Sequence, residues 1–286
     1  MQNKTKIEDN LIPERVNEMG SSGRTSLYQT LESYLPPDRL RAFKLVNHGL
    51  AILDDTIDRG VNPEEHLAKA KVTLKQSFTG NPQTPRDEEE KIIIELGSAL
   101  RSLKKGFFQQ YSIGVLVYNE VQKFWDIETR NFQRRWRVLR QTELDDLTRE
   151  IGKSVALQFC YLLDPGLNYY ERESLSNEVG FAVKLADNLV DLKEDILAGF
   201  INIPKEEIHN VLGVRVENDN VVAVDKGSLR VSRDYTQREY QRVNQAYHSA
   251  DYFFIPSILK RPIWRRELSL FREIIYSWFR DIKKAA

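Results

Sequence analysis

The sequence predicts an all-α protein: one helical bundle around a central apolar cavity, with a small inserted β-hairpin. Three observations carry this. Only 14 glycines and 10 prolines punctuate the 286 residues. The long stretches between them repeat apolar residues every three or four positions rather than every second one. Hydrophobic residues make up 41% of the chain, enough to bury a sizeable core. Residues 1–286 read as a single domain, with 1–20 as a flexible N-terminal segment, because GNPQTP at 80–85 suits an interhelical loop better than a linker.

The first helix follows Pro36 and Pro37. From Asp38 the run RLRAFKLVNHGLAILDDTIDRG sets Phe43, Val46, Leu50, Leu53 and Ile57 on one stripe and stops at Gly60. Helical periodicity continues over Pro63 to Phe78, Asp87 to Leu103, about Gly114 to Arg140, Glu143 to Leu163, Arg172 to Leu197, Tyr235 to Phe253, and Trp264 to Lys284. The exception is VRVENDNVVAV, 214–224, where apolar alternation on both sides of Asn218, Asp219 and Asn220 reads as the hairpin.

Charge and cysteine usage exclude several functions. Lys and Arg number 42 against 42 Asp and Glu, so no basic field exists to hold nucleic acid, and none is expected as a partner. One cysteine excludes an internal disulfide, and with four histidines it leaves little for a zinc site. The opening MQNKTKIEDN lacks the apolar core of a signal peptide, and no stretch nears the roughly 20 apolar residues of a membrane span. A cytoplasmic location is expected, with peripheral membrane contact open and the oligomeric state unspecified. Cys160, in an apolar run without a neighbouring base, reads as a packing residue.

Two carboxylate sets stand out. In the first helix Asp54 and Asp58 lie at i and i+4 beside the apolar stripe, with Asp55 between them. Two anions on one partly apolar edge repel each other and resist desolvation, so a bound cation is the natural compensation. Hard Mg²⁺ suits such oxygens, taking one or two carboxylates and filling its other sites with water and phosphate oxygens. The alternative is a solvated helix end, since Arg59 and Gly60 follow. In the second set Asp187, Asp191 and Asp195 recur every fourth residue within GFAVKLADNLVDLKEDILAGFINIP, 180–204, accompanied by Lys184, Asn188 and Glu194. An exposed face balanced by Lys184 and Lys193 is the plainer account of it. If the two helices face each other, their carboxylates form a mouth for about two or three Mg²⁺ ions and, through them, a diphosphate. His48 lies within reach of that mouth by sequence.

These residues resemble the squalene and phytoene synthase-like branch of the all-α isoprenoid synthases, and the resemblance spans most of the chain. Thr25-Ser26-Leu27, Leu35-Pro36 and Asp54-Asp55-Thr56-Ile57-Asp58 follow the order of that family's Ser-Phe, Leu-Pro and D-D-x-x-D elements. Gly180, Ala182, Leu185, Leu189, Asp191, Glu194, Asp195, Gly199, Ile203 and Pro204 stand in register with its G-x-A-x-Q-L-x-N-I-x-R-D-x-x-E-D-x-x-x-G-R-x-Y-L-P element. Departures occur at Lys184, Asp187 and Val190, where the family has Gln, Asn and Arg, and at Ala51, where an arginine is common. The family's tyrosine before Ile151-Gly152-Lys153-Ser154-Val155-Ala156 is replaced, with Leu147 in that region.

The resemblance implies an isoprenoid synthase fold and a Mg²⁺-dependent transferase that ionises an allylic prenyl diphosphate and couples it to a second. It places Asp54, Asp58, Asp191 and Asp195 in catalysis, Asp54, Asp55, Asp58, Asp187, Asp191 and Asp195 on metal, and Ser26, Lys184 and Asn188 on the diphosphate. A synthase acting on one prenyl diphosphate is the alternative, favoured by the changed residues of the second site. A non-catalytic scaffold is a further one. Phe107, Phe108, Tyr111, Tyr118, Phe159, Tyr161 and Phe181 are aromatic candidates for the cavity wall, although core packing is the commoner role. The run Arg130, Arg134, Arg135, Arg137 and Arg140, interleaved with Phe132 and Trp136, suits a solvated face or an anionic membrane.

Overall fold

The computed structural model describes residues 31–33, 35–59, 62–103, 111–163 and 166–260, and for residues 54, 55, 57–59 and 253–260 the backbone alone. The segment 1–20, Ser26, Phe107, Phe108 and the expected helix Trp264 to Lys284 lie outside the described residues. The described chain is helical, as the periodicity predicts. In order come α1 (Pro37–Arg59), α2 (Pro63–Thr79), α3 (Glu88–Ser102), α4 (Ile113–Gln133), α5 (Gln141–Leu163), α6 (Tyr169–Val190), α7 (Leu192–Ala198), a 3₁₀ turn (Lys205–Asn210), β1 (Val211–Leu212), β2 (Val214–Glu217), β3 (Asn220–Val224), β4 (Arg230–Val231) and α8 (Arg233–Lys260).

Local chemistry sets most ends. Asp87 caps α3 by accepting from the Glu90 N–H at 2.7 Å, and Ser112 caps α4 by accepting from Val115. Asn168 and Glu171 form a reciprocal capping box that starts α6 at Tyr169. On α1 the stripe turns inward, with Phe43, Val46 and Leu53 buried, and the Arg39 guanidinium donates to the Leu162 and Leu163 carbonyls at the end of α5. The bundle centres on α5 and α6, which cross backbone to backbone. A Cβ on Gly152 would lie 2.0 Å from the Gly180 carbonyl oxygen, and one on Gly180 would lie 2.3 Å from that of Gly152. Helix α8 packs on α6, and α4 on α5. Leu157, Leu162, Leu175, Val179 and Val243 fill the main core between them.

Two helices differ from the periodicity. The stretch expected to run to Arg140 stops at Gln133, because Trp136 adopts a left-handed conformation (φ 67°) and donates its N–H to the Gly199 carbonyl at 2.7 Å. The indole lies against Gly199, where a Cβ would approach it to 2.7 Å. The stretch 172–197 is broken at Asp191, the single residue between α6 and α7, so the three aspartates do not share one uninterrupted helix face. The hydrogen bonds Asp191 N to Asp187 O, 3.0 Å, and Asp195 N to Asp191 O, 2.8 Å, still carry the chain across the break. Helix α8 starts two residues before the expected position and runs past Phe253 to Lys260.

The hairpin is present. β2 pairs antiparallel with β3 from Val214↔Val224 to Glu217↔Asn220, through the two-residue turn Asn218–Asp219 with φ of 50° and 62°. It does not stand free. Val138 N donates to Asp219 O and Val221 N to Trp136 O, at 2.9 and 2.6 Å, while Lys205 pairs with Asp219. A second ladder, β1 with β4, closes the insertion at its base. Val138, Leu192, Ile196, Ile201, Ile203, Val211, Val221, Leu229 and Tyr235 form a second apolar cluster beneath these strands. Among the described residues, no helix is long and apolar enough to cross a membrane.

Candidate functional site

A polar cleft opens where α4, α5, α6 and the 195–202 segment meet. Glu128, Asn131, Arg134, Thr148, Lys184, Asn188, Asp195 and Asn202 line it with Leu144, Leu147, Ile151 and Phe200, around about 480 Å³ of free space open to solvent. A narrow neighbouring crevice shares Leu144, Thr148, Asn188 and Asn202 with it and adds Asp145, Tyr235, Glu239 and Arg242. The partition between the two is a polar chain. Asn188 Nδ2 donates to Thr148 Oγ1 at 3.4 Å, and Asn202 Nδ2 lies 3.5 Å from Asn188 Oδ1 and 2.6 Å from Asp195 Oδ2. Asn188, expected to touch diphosphate, is thus 8% exposed and lies in that partition.

Lys184 and Asp187 form an ion pair one helical turn apart, Nζ to Oδ2 2.5 Å. Burial opposes the lysine charge, but Asp187, Asp195 and Glu128 outweigh it and hold the ammonium above its ordinary pKa. Asp195 is affected in the other direction. Burial, with Asp187 and Asp191 nearby, pushes its carboxyl up to about 7 against the pull of Lys184 and the Asn202 amide. Asp195, raised chiefly by burial, and Asp191, one turn before it in sequence, carry oxygens of the type a hard divalent ion takes. One oxygen of Asp187, Oδ2, bonds Lys184. The side chains of Asp54, Asp55 and Asp58 lie outside the description; their backbone forms the last turns of α1. Among the described residues, no group of three or more His, Cys, Asp or Glu side chains is arranged to hold a metal ion.

Arg134 is what the sequence reading missed. The run 130–140 is not one solvated face: Arg134 is 8% exposed and all three of its guanidinium nitrogens donate hydrogen bonds. Nε donates to Asn131 Oδ1 at 2.7 Å, Nη2 to Asn202 Oδ1 at 2.8 Å and Nη1 to the Ile201 carbonyl at 3.3 Å. Burial lowers its pKa to about 10, against the raising effect of Glu128 and Asp195. Arg135 donates to the Ala198 carbonyl and stacks on Phe132 and Phe200, while Arg130 pairs with Glu150 at the surface. An arginine run carries no sign of which member is buried. Asn202 had a faint signal, as a polar residue within the apolar run Phe200 to Pro204.

Replacing Arg134 by methionine is expected to cost about 3 kcal/mol, because three acceptors and Glu128 lose their partner in a buried place. A drop in the guanidinium midpoint at unchanged m-value would register it.

The candidate aromatic wall is engaged elsewhere. Tyr118 stacks on Phe78 with centroids 4.2 Å apart, Phe159 meets Phe43 at 4.7 Å, and Tyr111 is exposed. The Arg172 guanidinium covers the Tyr161 ring at 4.3 Å and that of Arg149 covers Phe181 at 3.8 Å. Cys160 is buried as expected, with the Ser176 hydroxyl 3.4 Å from its sulfur. His48 is half-buried on α1.

No protein-family model and no curated protein matches the sequence. Among solved structures, the chain is similar to squalene synthase HpnC from Alicyclobacillus acidocaldarius. The TM-score is 0.58 at 14% sequence identity, over 95% of this chain and 92% of that one. The likeness is one of fold: this chain has the all-α architecture of that structure.

Proposed function

We propose that this protein ionises an allylic prenyl diphosphate at the polar cleft and couples it to a second one. The observation that carries the reading is the convergence of Lys184, Arg134 and the near-neutral Asp195 at one mouth, on a bundle with the fold of squalene synthase HpnC. Asp191 and Asp195, with Asp54, Asp55 and Asp58 of α1, would hold Mg²⁺, which supplies Lewis-acid neutralisation of the departing diphosphate when bound. The chain's own residues do the rest. Arg134, fixed by three acceptors, contributes a preorganised positive field where leaving-group charge develops. Asn202 orients the Asp195 carboxylate, and Asn188 holds Asn202 against Thr148. Leu144, Leu147, Ile151 and Phe200 would give the allylic cation its apolar contacts within the cleft. Ser26 is assigned a diphosphate contact by the resemblance alone.

A synthase acting on a single prenyl diphosphate is the second reading, and Val190 favours it. This side chain is 51% exposed at the end of α6, where the related pattern carries arginine, so that position supplies no cation for a second diphosphate. Pyrophosphate release from farnesyl and geranylgeranyl diphosphates, with and without Mg²⁺, tests both when combined with the mass of the organic product. Metal-dependent release with doubled carbon count is the expected result. An unchanged carbon count selects the single-substrate reaction, and no release by folded protein leaves a binding or scaffold role.

A further inference from the structure

We propose that Glu128 and Asn131 of α4 are positioning residues of the mouth: they fix the Arg134 guanidinium and, through it and Asn202, the Asp195 carboxylate. The inference deepens the function above and rests on that reading for what the mouth does, though not for the relay itself. Four hydrogen bonds run in series. Asn131 Nδ2 donates to Glu128 Oε2 at 3.0 Å, and Asn131 Oδ1 accepts from Arg134 Nε at 2.7 Å. Arg134 Nη2 donates to Asn202 Oδ1 at 2.8 Å, and Asn202 Nδ2 donates to Asp195 Oδ2 at 2.6 Å. Glu128 and Arg134, both 8% exposed, line the same cleft as Asn131, Asn202 and Asp195.

The order of the groups leaves the relay one arrangement. A guanidinium only donates and an ionised carboxylate only accepts, so each asparagine between them must turn its oxygen to Arg134 and its NH₂ to the carboxylate. Turning either amide over sets N–H against N–H at the arginine and oxygen against oxygen at the carboxylate, which forfeits two bonds at once. Glu128, Asn131 and Arg134 follow one another at steps of three along the end of α4 and its cap, whereas Asp195 and Asn202 belong to α7 and the segment after it. The first two bonds therefore lie within one element and set the guanidinium independently of the segment it then grips through Asn202 and the Ile201 carbonyl.

A double-variant cycle in denaturant unfolding of the full chain tests the relay. Asn131→Leu removes both bonds of its amide, and Asn202→Ala removes the bond to Asp195. Because the two side chains are joined through Arg134, the unfolding constant of the double variant is expected to be at least about fivefold smaller than the product of the two single effects. Ser112→Ala at the start of α4, combined with Asn202→Ala, is expected to be additive within about twofold. In Mg²⁺-dependent pyrophosphate release from farnesyl diphosphate, Asn131→Leu is expected to lower kcat at least about tenfold with KM within about threefold, as misplaced groups do. Glu128→Leu is expected to lower kcat likewise, and Glu128→Gln, which restores an acceptor for Asn131, to recover most of the loss. Should either Asn131→Leu or Asn202→Ala fail to fold by circular dichroism, serine at the same position, too short to reach both partners, takes its place in each measurement. Additive unfolding of the double variant overturns the relay. An unaltered kcat in the folded position-131 variant overturns the positioning role. Coupling together with no release by the unaltered protein overturns the enzymatic reading and leaves the relay standing. Release without coupling does the reverse.

Discussion

Asp195→Asn is expected to lower metal-dependent pyrophosphate release by about 10²–10³-fold while making the metal-free protein more stable at pH 8. The loss of rate follows from removing a charged group at the point where leaving-group charge is neutralised, the kind of contact whose deletion has that magnitude. The gain in stability follows from linkage. The folded-state carboxyl sits at about 7, raised chiefly by burial and then by Asp187 and Asp191, whereas in the unfolded chain it returns to 3.8. Between about pH 4 and about pH 7 the native state retains a proton that the unfolded state has released, so this group makes stability fall as pH rises through that window and contributes no further change above it. Asparagine cannot ionise, so the fall disappears and the variant gains up to about 4 kcal/mol at pH 8, from a carboxyl at about 7 against 3.8 in the unfolded chain. Its amide oxygen can still accept from Asn202. Thermal scans at pH 5 and pH 8 beside the activity assay separate the cases, since a residue held only for structure would lose stability together with rate.

Gly180→Ala is expected to destabilise the described bundle strongly. The added Cβ would lie 2.3 Å from the Gly152 carbonyl carbon and oxygen and 2.5 Å from the Lys153 nitrogen, all backbone atoms with no rotamer to yield. Helices α5 and α6 must separate, at a cost of at least about 3 kcal/mol, the upper end for overpacking. Gly227→Ala, whose nearest neighbour is the Asp225 carboxylate at 3.4 Å, serves as the control and is expected to stay within about 0.5 kcal/mol of the native protein. Because Thr148 on α5 and Asn188 on α6 form the partition of the cleft, the separation would also reach the mouth. Denaturant melts of the two variants compare them directly.

The sequence made the local structure legible and left the long-range part hidden. Apolar spacing located the helices because each buries one stripe, as Phe43, Val46 and Leu53 do on α1. The Asn218–Asp219 turn was readable because few residues other than Asn, Asp and Gly tolerate two left-handed positions in succession. By contrast, the end of α4 depends on Gly199 accepting from Trp136, a partner 63 residues away, and no local signal in 130–140 announces it. The same distance hid Arg134, whose burial is decided by Ile201 and Asn202. The second acidic set was visible as residue types, and Lys184 was visible as its counter-charge. What one-dimensional spacing does not contain is the break at Asp191 or the Asn202 amide that turns Asp195 inward.

The hairpin joins the 134–140 loop, α7 and the start of α8 through one apolar cluster, which meets the main core at Leu189. Satellite clusters of this kind commonly open as units of their own without unfolding of the main core. Both Asn202, which holds Asp195, and Arg134, which holds Asn202, ride on its edge. Opening the insertion therefore disconnects the orienting groups from the carboxylate while α5 and α6 remain packed, so an assembled mouth requires the insertion closed as well as the core intact.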